Sequence, residues 1–134
     1  MPYLDSNVIS LGGDISSVHT LSTSGQTLTA TMILNTTRNG AAWTPAASPV
    51  YLYVEGTPPR LITAGAAATL SAGGSQRSDP DMIDLDSDLA SVTSLSVSGS
   101  TLTLVGTLLS SRTYSTSPKR LYIPGTGARP VPLT

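Results

Sequence analysis

The chain of 134 residues contains no cysteine, a single lysine (Lys119) and a single histidine (His19). Disulfides and thiolate metal sites are therefore excluded, and zinc has no ligand set to choose from. Charged residues make up 11% of the chain, against roughly 25% in ordinary soluble domains. Seven basic residues stand against eight acidic ones, so no basic stripe exists to neutralise phosphates and nucleic-acid binding is not expected. No apolar run approaches the roughly 20 residues of a membrane span. The opening MPYLDSNVISLGGD lacks a basic start and an apolar core, so no secretory signal is expected. Aromatic residues amount to 4%.

Hydroxyl residues fill the place of the missing charge, with 20 serines and 19 threonines. They make surfaces that are polar yet cheap to desolvate, and a free monomer ordinarily carries more charge than this. The composition implies a surface that lies against other protein.

The chain also repeats itself. SVHTLSTSGQTLT, from Ser17 to Thr29, returns as SVTSLSVSGSTLT from Ser91 to Thr103, 74 residues on, with nine of thirteen residues identical. SPVYLYVEGTPPR, from Ser48 to Arg60, returns as SPKRLYIPGTGAR from Ser117 to Arg129, 69 residues on, with seven of thirteen identical. Two blocks recurring in the same order, five residues closer together in the second copy, indicate duplication of a structural unit. The reading is one domain spanning residues 1–134, with repeat units over about 14–63 and 88–134 joined by a connection over 64–87.

Residues 27–34 alternate Leu28, Ala30, Met32 and Leu34 against Thr27, Thr29, Thr31 and Ile33, the period of a strand with one buried face. The segment Val18 to Thr23 precedes it, with a hairpin turn at Ser24-Gly25. The second copy repeats this through Val92 to Val97, Ser98-Gly99 and Thr101 to Leu109. Each second block adds a strand with a Leu-Tyr pair, Leu52-Tyr53 or Leu121-Tyr122, and a Gly-Thr turn, with a short return strand at 61–63 in the first copy and another short strand over 68–70. Flanking prolines predict that these pieces sit at sheet edges or are interrupted. Asp79-Pro80 suits the start of a short helical turn. The predicted fold is all-β, a sandwich or barrel of two repeated units with little helix.

Asp79, Asp81, Asp84, Asp86 and Asp88 form the one acidic cluster. Asp84, Asp86 and Asp88 match the first, third and fifth positions of a calcium loop, but Leu89 stands where glycine is required and Leu95 where the bidentate glutamate belongs. The segment reads as an exposed capped turn, with no metal and no cofactor. His19 has Thr93 as its counterpart and no carboxylate on its strand, and no serine sits in a nucleophile elbow; no enzyme is expected. The candidate protein-contact residues are Trp43, in the stretch the second copy lacks, the repeat-equivalent Arg60 and Arg129, and the paired Tyr53 and Tyr122. Aromatic anchors and bidentate arginines are what interfaces use.

In size and in its low-charge, Ser/Thr/Gly/Pro-rich, cysteine-free β composition, the chain resembles the small decoration or cement proteins on the heads of tailed bacteriophages. The resemblance implies a structural virion protein, assembled in the host cytoplasm, that contacts the major capsid protein and forms a homo-oligomer, a trimer being favoured. Its terminal segments 1–13 and 124–134 would reach to neighbours. SLSVSGSTLTLVG also looks like the β repeats of tail or fibre proteins that attach to hosts, and Trp43, Tyr51 and Tyr53 leave a carbohydrate-binding module as a third reading.

Overall fold

The computed structural model describes residues 6–38, 40–54, 60–65, 80–85, 87–109, 113–123 and 129–132. In the first half the elements are β1 (Val8–Ser10), α1 (Leu11–Asp14), β2 (Ile15–Ser24), β3 (Thr27–Leu34), β4 (Thr37–Arg38), β5 (Ala41–Ala42), β6 (Tyr51–Val54) and β7 (Arg60–Thr63). In the second they are β8 (Met82–Asp84), β9 (Leu89–Ser98), β10 (Thr101–Leu108), β11 (Arg120–Ile123) and β12 (Arg129–Pro132). The chain is nearly all β, with one four-residue helix among the described residues.

A central antiparallel sheet runs in the order β2-β3-β10-β9. Two three-stranded sheets, β1-β6-β7 and β12-β11-β8, share a plan: the leading strand is parallel to the middle one and the return strand antiparallel to it. The β4-β5 pair makes a separate hairpin. Buried faces of all three larger sheets merge into one apolar core, with Ile9, Leu28, Met32, Leu52, Ile83, Leu102, Leu104 and Leu121 fully enclosed. Each such side chain contributes roughly 1.5–3 kcal/mol by leaving water.

The halves are interlocked. Strands β3 and β10 pair over seven residues with Ala30 opposite Leu104, and those two residues are themselves 74 apart. This register maps onto itself when the halves are exchanged, as a twofold axis between the strands requires. Hydrogen bonds across the halves recur at the repeat offsets. The Leu34 amide donates to Ser100 O and the Leu108 amide to Gln26 O, both at 2.7 Å; Thr23 N reaches Thr116 O at 2.9 Å and Val97 N reaches Ala47 O at 2.8 Å. Each edge strand of the central sheet is thus tied to the loop ahead of the other half's middle strand, a device that keeps edges from uncontrolled pairing.

Irregularities are duplicated too. Ser16 and His19 are the extra residues at the register shifts of β2, and Ala90 and Thr93 are the extra residues in β9. A bulge residue is out of the ladder, which is why the fold accepts imidazole at one position and a hydroxyl at its counterpart.

Several expectations are corrected. The hairpin loops are Gly25-Gln26 and Gly99-Ser100, one residue later than expected, because Ser24 pairs with Thr27 and Ser98 with Thr101. Both glycines adopt the positive φ such loops demand, 60° and 62°. Residues 82–84 belong to a strand of the second unit rather than to a connection, and residues 8–10 are a buried strand rather than an arm reaching outward. The helix lies at Leu11–Asp14, whereas Leu85, Ser87 and Asp88 are in turns; Asp79 is outside the described residues. The return strand exists in both copies, and β12, with Pro130 and Pro132, lies at a sheet edge. The Leu-Tyr strands β6 and β11, expected at edges, are instead the middle strands of their sheets, their prolines standing outside the paired residues. The short strand expected over 68–70 falls outside the described residues.

One departure from symmetry is sharply packed. Gly106 stands where the first unit has the buried Met32, and a Cβ there would lie 2.7 Å from Leu89 Cδ1 and 2.9 Å from Ser91 O. Leu89 fills the volume that a side chain at 106 would need. Gly106→Ala is expected to lower stability by about 1–3 kcal/mol through overpacking, read as an earlier urea midpoint at unchanged slope; an unchanged midpoint would show that Leu89 yields freely.

Candidate functional site

The described residue types with most chemistry to offer meet under the β4-β5 hairpin. Asp14 ends α1 and is fully buried. Its Oδ2 accepts from the Ser10 amide at 2.7 Å, closing the short helix on itself. The same carboxylate takes both arms of Arg38, from Nε to Oδ1 at 3.1 Å and from Nη2 to Oδ2 at 2.6 Å. Arg38 Nη2 also donates to Val8 O at 2.7 Å, so one guanidinium joins β1, α1 and β4. Planar, bidentate pairing of this kind favours arginine over lysine.

Trp43 completes the cluster. The Arg38 guanidinium carbon lies 3.7 Å from its ring centroid, and its indole Nε1 donates to Asn35 O at 3.1 Å. The half-buried ring packs against the core. The ring is held within the fold, with one face against the guanidinium and the indole N–H engaged.

The second half repeats the pin of an aspartate to the amide four residues before it. Asp88 is buried, and its Oδ2 accepts from the Asp84 amide at 2.8 Å, as Asp14 does from Ser10. Asp14 O and Asp88 O accept from Asn35 N and Leu109 N, at 2.7 and 3.0 Å. Asp84 is buried as well, which overturns the expectation of an exposed acidic turn. Asp86 is outside the described residues. Among the described residues no group of three or more His, Cys, Asp or Glu side chains is placed to hold a metal, and no helix is long and apolar enough to cross a membrane.

Sequence reading passed over Asp14 and Arg38, yet a signal was present. Asp14 and Asp88 are 74 apart, and so are Arg38 and Arg112. A charged residue kept in both copies of a charge-poor repeat is a candidate for a buried pair. Arg112 itself is outside the described residues. The Asn39-Gly40 dipeptide is a strong hairpin signal in the sequence, and Arg38 pairs with Ala41 across it.

The remaining candidates separate into two groups. Tyr53 and Tyr122 are half-buried on β6 and β11, on the alternation opposite the buried Leu52, Val54, Leu121 and Ile123. Arg60 and Arg129 begin β7 and β12 opposite Val54 and Ile123; their side chains lie outside the described residues.

A further surface was not singled out from the sequence. The outward alternation of the central sheet carries cross-strand rows of hydroxyls: Thr20, Thr31, Thr103 and Ser96 in one, Ser22, Thr29 and Ser94 with Val105 in the next. All are exposed or half-exposed, and Thr20 hydrogen-bonds Thr31 across the strands.

Removing Arg38 leaves a buried carboxylate without its counter-charge, so Arg38→Met is expected to cost about 3–5 kcal/mol. In a double-mutant cycle with Asp14→Asn, denaturant melts are expected to give a coupling of about 1–3 kcal/mol; additive losses would show that the pair contributes nothing specific. Neither a family model, nor a curated protein, nor a solved structure matches this chain.

Proposed function

We propose that the protein is a structural component of a bacteriophage virion, a decoration protein that cements neighbouring copies of the major capsid protein. The observation that carries this reading is the duplicated outward tyrosine. Tyr53 and Tyr122 occupy equivalent strands at the repeat offset of 69, on halves joined by a register that is symmetric under their exchange. A subunit with two like contact sites on one interlocked frame can bridge two copies of the same partner. Bridging gains strength from effective concentration rather than from one large interface.

The other features support a mechanical role. Buried polar groups such as Asp14, Arg38 and Asp88 are engaged within the fold, and the low charge suits a surface that spends its life against protein. The work of such a subunit is to resist separation of shell proteins, and no catalytic step belongs to it.

The test is cosedimentation with purified capsids. Saturable binding at fixed stoichiometry is expected, with Tyr53→Ala or Tyr122→Ala alone weakening it by roughly 10²- to 10⁴-fold as bivalence is lost. The double variant is expected to leave the protein in the supernatant. Absence of wild-type binding to capsids, or retention by glycans instead, would overturn the reading.

A further inference from the structure

The outward face of the β2-β3-β10-β9 sheet plays no part in the bridging contacts and is chemically unusual. Around its centre, Thr29, Thr31 and Thr103 stand in neighbouring cross-strand rows with Val105 as the apolar member, and no charged side chain belongs to those rows. We propose that this face is a self-association surface whose occupant is the same face of a second copy of the chain. The contact is twofold and isologous rather than the threefold that the resemblance implies.

Three properties on this face select a second copy. Identical surfaces meet without like-charge repulsion only where they carry no net charge, and this face carries none. A hydroxyl is both donor and acceptor, so a hydroxyl lattice complements itself, whereas a carboxylate or guanidinium face needs an opposite. The third is size. Four strands at about 4.8 Å spacing and eight residues at about 3.4 Å each cover roughly 500 Å² in projection. Side-chain relief raises the accessible area above that, toward the roughly 600–800 Å² per partner of a small specific interface.

Symmetry and twist help the match. The repeat offset exchanges Thr29 with Thr103 and Ser22 with Ser96, so these hydroxyls recur about the axis between β3 and β10, while Thr31 is answered by Val105. Two sheets of the same hand of twist pack face to face at about −30°. Serine and threonine provide no large anchors, so the dimer is a weak one that forms at high local concentration.

Sedimentation equilibrium over roughly 1 µM to 1 mM, the span of weak association, tests the proposal without any capsid. The wild-type chain is expected to approach twice its 13.7 kDa mass at the upper end. Thr29→Lys/Thr103→Lys, which puts like charges at the centre of the face, is expected to raise the dissociation constant at least about tenfold, with the circular dichroism of the fold retained. Mixing it with Thr29→Glu/Thr103→Glu is expected to restore association. Thr113→Lys, at an exposed position off the sheet, is expected to leave association unchanged. A wild type that stays at 13.7 kDa throughout, or charged variants that still dimerise, or an equal loss with Thr113→Lys, would each overturn the proposal. Because capsid binding is read separately, failure here leaves the bridging role standing, and the converse holds.

Discussion

Strands β3 and β10 pair along seven residues with Ala30 opposite Leu104, and each brings an apolar face that has no cover within its own hairpin. A β-hairpin alone is marginal in water. Joining two of them edge to edge removes both inner edges from solvent and makes a four-stranded surface broad enough to be roofed. The two three-stranded sheets supply that roof, and their Ile9, Leu52, Ile83 and Leu121 enter the same core. The long-range amide bonds at Thr23 and Val97 hold only because the β3–β10 register brings each half's edge to the other's loop. Cooperativity between the halves therefore follows from this one pairing.

Departures from symmetry obey packing and electrostatics. Met32 in one half is answered by Gly106 in the other, with Leu89 occupying the vacated volume. Ser10 is answered by Asp84, both of which give an amide to the aspartate four residues on. In each half the carboxylate satisfies a buried backbone amide four residues earlier. A buried carboxylate then needs a cation, and in the first half the β4-β5 hairpin delivers Arg38, with Trp43 laid over it. Ion pairing and stacking here serve to close the fold.

Much of this was legible in the residues. Alternation in residues 27–34 and its copy marked β3 and β10, the Ser-Gly pairs marked the hairpins to within one residue, and prolines at 130 and 132 marked an edge strand. What escaped was short or non-local. Val8–Ser10 and Met82–Asp84 are three residues long and buried throughout, so they show no alternation, and their parallel partners lie about forty residues away. Asp84 and Asp88 read as solvent-exposed because aspartate usually is. Their burial depends on hydrogen bonds that only the folded turn creates.

By itself the sequence determined the all-β class, the duplication and the faces of the long strands, since these rest on period, turn chemistry and identity at fixed offsets, all local properties of the chain. Tertiary structure alone decided which edges meet, that Asp14 and Arg38 form a buried pair, and that the serines and threonines of four separate strands line up as one uncharged face. Those outcomes depend on register between distant segments. Register is selected by the closing of a common core, and no single segment carries it.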